Sequence, residues 1–176
     1  MSQELFEKAI SLGDVELCKR IIDSGKVNLN SLNAHGQTLL HKAVENNNYK
    51  TSSLIIEYDI DINKKDYSFQ TALNYAVYNC NLDICRLLIE RGADPNSTDE
   101  QGWTPIMHLA TRNFSQVVTI NDKELNALEN LLIETSNILQ RNYDNHSILH
   151  ICRYFHNKRM CNKIRSFQRG ELLTYL

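Results

Sequence analysis

The sequence predicts an all-α protein built as a stack of helix-turn-helix units. Three observations carry that prediction. Thr38, Thr71 and Thr104 stand 33 residues apart, and each opens a similar stretch: Gln37-Thr38-Leu39-Leu40-His41-Lys42-Ala43, Gln70-Thr71-Ala72-Leu73-Asn74-Tyr75-Ala76 and Trp103-Thr104-Pro105-Ile106-Met107-His108-Leu109-Ala110. Within each period the apolar residues fall in two runs at helical spacing. Between periods lie turn-forming segments such as Asp94-Pro95-Asn96 and Asp99-Glu100-Gln101-Gly102.

The first unit runs from about Gln3 to Asn30, with Gly13-Asp14 as its inter-helix turn and Ile21-Ile22 in its second helix. Its loop, Gly25 to Asn30, is one residue longer than that of the third unit. In the second unit Leu54-Ile55-Ile56 fills the apolar slot, but Asp59 replaces the helix-ending glycine. A left-handed Asp59 is expected to cost about 1 kcal/mol. The third unit is the cleanest. Ala72, Leu73, Ala76 and Val77 form one stripe, Asn79-Cys80-Asn81 breaks it, and Leu82, Ile84, Cys85, Leu87, Leu88 and Ile89 form a second. Gly92 then ends the helix, because glycine takes the left-handed cap without a steric penalty. In the fourth unit the first helix is expected to end near Arg112. Its next stripe, Leu125, Leu128, Leu131 and Leu132, begins about ten residues late. The intervening residues 113–123 read as an insertion, since doubling a loop costs only about 0.6 kcal/mol; Phe114, Val117 and Val118 make it a candidate contact loop. A fifth unit follows from His146 to Cys152, with a second helix from Lys158 to Phe167. Asn157, Lys158, Arg159, Asn162, Lys163 and Arg165 are expected to give this end unit a polar outer face. Leu172, Leu173, Tyr175 and Leu176 are expected to fold back as a lid.

This grammar resembles the ankyrin repeat, whose period is about 33 residues and whose signature is Thr-Pro-Leu-His-x-Ala. The match is strong at Leu87 to Asn96 and at Gly102 to Met107, and it covers nearly the whole chain. The resemblance implies an ankyrin-repeat solenoid of about five helix-turn-helix units joined by β-hairpin-like loops. It implies a single domain over 1–176, with units near 1–33, 34–66, 67–99, 100–141 and 142–176. It also implies non-catalytic binding of a partner protein through the concave face of loops and inner helices. By register the loop column there is Gln37, Gln70, Trp103 and His146, with Tyr67 and Tyr143 nearby. The helix column holds Glu45, Tyr78 and Thr111, with Asn46, Asn79 and Arg112 beside it. The expected contact residues are His35, Glu45, Tyr67, Gln70, Tyr78, Asn79, Trp103 and Arg112, since Tyr, Trp and Arg dominate interface energies. Asn96, two residues after Asp94 and eight after Leu88, resembles the ankyrin asparagines that are hydroxylated in animal cells.

Composition narrows the alternatives. A net charge of −2, 42 % hydrophobic residues and a mean hydropathy of −0.41 suit a soluble chain with no bias toward nucleic acid or membrane. The N-terminus carries acids where a secretory leader would be basic, and no apolar run approaches the roughly 20 residues of a membrane span. Five unevenly spaced cysteines point to reduced thiols and a cytoplasmic location, or the cytosol or nucleus of a host. The chain is expected to be monomeric. His146, His150, Cys152, His156 and Cys161 are zinc-type ligands by residue type. The repeat frame, however, places His150 with His41 in the signature slot that ties neighbouring loops, Cys152 in the alanine slot and Cys161 on a packed helix face. A metal site at 146–161 is therefore the weaker alternative, and no metal, cofactor or catalytic residue is expected. From Arg141 onward seven basic residues face two acidic ones, which makes docking of this end to an acidic surface a further alternative. Asparagine is about one residue in nine. Such a bias fits an AT-rich genome, and stand-alone ankyrin proteins of viruses and intracellular bacteria imply a regulator or effector of host signalling.

Overall fold

The computed structural model describes residues 2–111 and 121–170 and contains ten α-helices among them, with no strand. The chain divides into two compact units, Met1–Asp94 and Pro95–Leu176. Arg112, Phe114, Val117 and Val118, with most of the expected insertion, and the apolar tail from Leu172 to Leu176 lie outside the described residues.

The first unit holds α1 (Ser2–Leu12), α2 (Val15–Asp23), α3 (Leu39–Glu45), α4 (Tyr49–Ile56), α5 (Ala72–Tyr78) and α6 (Leu82–Glu90). Consecutive helices pair as α1 with α2, α3 with α4 and α5 with α6. Odd helices also pack on odd and even on even, so each pair stacks on the next. Phe6, Ile10, Leu39, Ile55, Leu73, Ile84 and Leu88 are fully buried between them. The second unit holds α7 (Pro105–Thr111), α8 (Asp122–Thr135), α9 (Ile148–Tyr154) and α10 (Lys158–Gln168). Its core contains Ile106, Met107, Leu109, Leu128 and Leu132. Cys18, Cys85, Cys152 and Cys161 are all buried in their helices, where a thiol behaves as a small hydrophobe.

Helix starts follow one rule. Asp14, Asn48, Asn81 and Asn157 each accept, through a side-chain oxygen, the amide three residues on, which starts the second helix of a pair. The turns just before those caps use left-handed backbone at Gly13, Asn47, Cys80 and His156. Asp59 does not join them: α4 ends at Ile56 with Glu57 as a right-handed cap, so the strain expected at Asp59 is absent.

The polar outer face expected on the last unit is also revised. Glu129 lies on the buried face of α8, at 1 % exposure, and its Oε2 meets Arg159 Nε at 3.0 Å and Lys163 Nζ at 2.7 Å. Arg159 reaches on to Asp122 at 3.1 Å, and Lys163 donates to Asn126 and Asn130. These two cations therefore face inward from α10. Desolvation holds the Lys163 ammonium below the usual lysine range, against the opposing pull of Glu129. Removing one partner of a buried charge group leaves the others uncompensated. Glu129→Gln is expected to cost about 2–3 kcal/mol in urea unfolding, an amount between surface and fully buried pairs because Arg159 is partly exposed.

Candidate functional site

Four connecting loops repeat a single hydrogen-bond pattern. Asn33, Asp66 and Asp99 each accept, through Oδ1, the backbone N–H groups two and four residues on, at 2.8–3.0 Å. Asn142 Oδ1 accepts from His146 N at 2.8 Å in the same way. The backbone N–H of each of these residues also donates to the carbonyl four residues on, closing a tight loop. The residue three places on must then turn left-handed: Gly36 at φ 76°, Phe69 at 60°, Gly102 at 79° and Asn145 at 64°. In each unit a tyrosine from one loop covers the glycine of the loop before it. Tyr67 N donates to His35 O, and a Cβ added to Gly36 would lie 2.6 Å from that nitrogen. Tyr143 stands in the same relation to Gln101 and Gly102.

The residue five places on caps the following helix. His41 Nδ1 accepts from Thr38 N at 3.1 Å, which leaves Nε2 to carry the proton and donate to Gln70 O at 3.1 Å. His41 thus ties its own cap to the next loop, as the signature slot implies. Asn74 fills that slot in the next repeat and accepts from Thr71 N and Oγ1. Met107 cannot accept in this way, and Thr104 Oγ1 is left buried without a hydrogen bond. His150 departs from its expected role: it is exposed and stacks on His146 at 4.4 Å. A second polar link joins loop to helix, as Tyr75 donates to Asp66 at 2.7 Å and His108 Nε2 meets Asp99 at 2.7 Å. Burial, with the Asp66 hydrogen bond, pushes the Tyr75 hydroxyl up to about 12.

Against this frame the expected contact residues separate. In the first unit His35, Glu45 and Tyr67 line one polar hollow, together with Lys42, Asp66 and Tyr75. Tyr67 and Tyr78 are 67 % and 68 % exposed. Gln37, placed in the loop column by register, is only 7 % exposed and donates to Tyr75 Oη; it is a structural link. Asn79 donates to the Val44 and Glu45 carbonyls at 3.2 and 3.1 Å and so holds the end of α3. Gln70 is half-buried, with its carbonyl taken by His41. In the second unit Trp103 is half-buried, its ring 5.5 Å from that of His108. Asn96 accepts from Asn137 N at 2.5 Å. It repeats Asn30 and Asn63, whose side chains likewise bond the loop of the following repeat.

The sequence reading passed over Phe69 and Tyr154. Tyr154, on the helix column after Thr111, is exposed and meets Phe155 edge-on at 5.1 Å. Phe69 is 51 % exposed, with Lys65 Nζ 6.0 Å from its ring centre. Its signal was available, since it stands midway between Gly36 and Gly102 at the same 33-residue spacing.

The model for ankyrin repeats (3 copies) matches residues 5–99 and 65–120, about two-thirds of the sequence, and the chain belongs to the ankyrin repeat family. Its fold is the all-α repeat solenoid of that family. Ankyrin repeats generally serve as protein–protein interaction modules. No curated protein matches the chain. Among the described residues no helix is long and apolar enough to cross a membrane, and no three His, Cys, Asp or Glu side chains converge in a way that could hold a metal ion.

His41 makes one part of this frame pH-sensitive. Its burial disfavours the imidazolium, so its folded value lies below that of the unfolded chain. The unfolded state then binds more protons, and stability falls as pH drops through about 6.5 toward the folded value. His41→Asn, which copies the Asn74 cap, is expected to keep the fold and flatten stability between about pH 7 and 5. Denaturant midpoints across that range measure the change.

Proposed function

We propose that the chain is a non-catalytic module that binds a partner protein through the loop tips and exposed helix face of its repeats. The contact group in the first unit is His35, Glu45, Tyr67, Phe69 and Tyr78. Gln70 and Asn79 position this surface, and Trp103 is a contact residue of the second unit taken by itself. One observation carries the reading. The loop needs left-handed backbone at position 69, where an L side chain costs about 1–2 kcal/mol, yet the sequence puts an exposed phenylalanine there instead of glycine. A fold under selection for stability alone has no use for that residue. A binding surface does, because a rigid aromatic on a fixed turn loses little entropy on contact.

The asparagine-rich composition supports a finer reading, that the partner belongs to host signalling and the chain regulates it. Hydroxylation of Asn96 is a separate part of the proposal, and mass spectrometry of the chain from animal cells tests it. The second reading, docking through the basic end, has its own support in the exposed Arg153 and Lys158, which line one hollow with Arg165.

Phe69→Gly separates binding from folding. The variant is expected to gain about 1 kcal/mol in urea unfolding by relief of backbone strain. Recovery of the partner by affinity purification from host cells is expected to fall at least tenfold, the scale of one hot spot. Full partner recovery by the stabilised variant would remove Phe69 from the interface.

A further inference from the structure

The basic charge of the last repeat is sorted onto two faces. From Asn145 to Gly170 the sequence has six Arg and Lys residues and no Asp or Glu. Arg159 and Lys163 are turned inward to Glu129. Arg153, Lys158 and Arg165 instead surround a hollow between α9 and α10, with the buried thiols of Cys152 and Cys161 at its base. Among the described residues no carboxylate forms an ion pair with any of these three. Lys158 and Arg153 are exposed and Arg165 is half-buried. The neutralised pair and the trio therefore lie on one helix hairpin, and the trio lines the hollow; Arg169, at the end of α10, is exposed but does not line it.

We propose that this hollow docks a carboxylate-rich segment of a partner protein, with Arg153, Lys158 and Arg165 pairing its Asp and Glu side chains. The inference rests on the protein-binding reading above but uses a different surface. Three cations round one hollow match two or three carboxylates on a short segment. A nucleic-acid surface would need cations tracking a run of phosphates, and a membrane surface would need a broader basic patch. Arginine at two of the three positions favours planar, bidentate pairing with carboxylate over diffuse attraction.

The test titrates the full chain with a fluorescent Asp- and Glu-rich dodecapeptide, a dodecathymidylate and phosphatidylserine vesicles. The peptide is expected to bind saturably and to weaken as salt rises. Arg153→Gln with Lys158→Gln and Arg165→Gln is expected to lose about tenfold or more in peptide affinity while keeping its helical circular dichroism. A control reversing Lys19, Lys26 and Lys50, exposed lysines of the first unit, is expected to bind as wild type. Phe69→Gly should also bind the peptide normally, so failure at one surface is distinguishable from failure at the other. Absent peptide binding, equal binding by the triple variant, or tighter binding of the oligonucleotide or vesicles would each overturn the proposal. Should the triple variant unfold, Lys158→Gln alone, at an exposed position, must still weaken binding measurably.

Discussion

A side-chain oxygen at the base of each loop fixes what the rest of the protein can do. Asn33, Asp66 and Asp99 each take up two backbone amides that no helix could satisfy, Asn142 takes up one, and this folds five residues into one rigid turn. The left-handed third position, the tyrosines covering Gly36 and Gly102, and the threonine and serine caps all follow from that closure. Helix stripes supply the stability, but the loops decide which side chains stand exposed at their tips.

The same constraint separates fold from specificity. Where glycine occupies the turn, as at Gly36 and Gly102, the next loop packs on the backbone itself. Phe69 breaks that pattern at a cost the fold must carry, so its retention calls for a reason outside folding. Asparagine has a parallel double meaning. Much of its excess sits in structural slots: caps at Asn48, Asn81 and Asn157, loop links at Asn30, Asn63 and Asn96, and turn anchors at Asn33 and Asn142. A compositional bias toward asparagine and the demands of the repeat therefore pull in the same direction.

The threonine beat made the helices legible in the sequence, because helical periodicity and capping are local. The candidate surface was legible only in part. Tyr67 and Tyr78 were found by register, and both are exposed. Gln37, in register with Gln70 in the loop column, is buried instead, through a link to Tyr75, 38 residues away. Phe69 was hidden by chemistry: an aromatic near Tyr67 reads as ordinary until its backbone angle is known. The basic end shows the limit most clearly. Charge counting finds seven cations, yet it cannot show that Glu129, more than 30 residues upstream of Lys163, neutralises part of them. The clue was an acid set among Leu125, Leu128 and Leu132 on the buried stripe of α8.

On the proposed function, partner contact falls on the loop tips and inner helices, held there by the anchored turns. Hydrogen exchange of the full chain, free and bound to its captured partner, reads that contact amide by amide. Slowed exchange is expected in the loop at 67–70 and along α5. Protection confined to α4 and α6, with the loop amides unchanged, would contradict it.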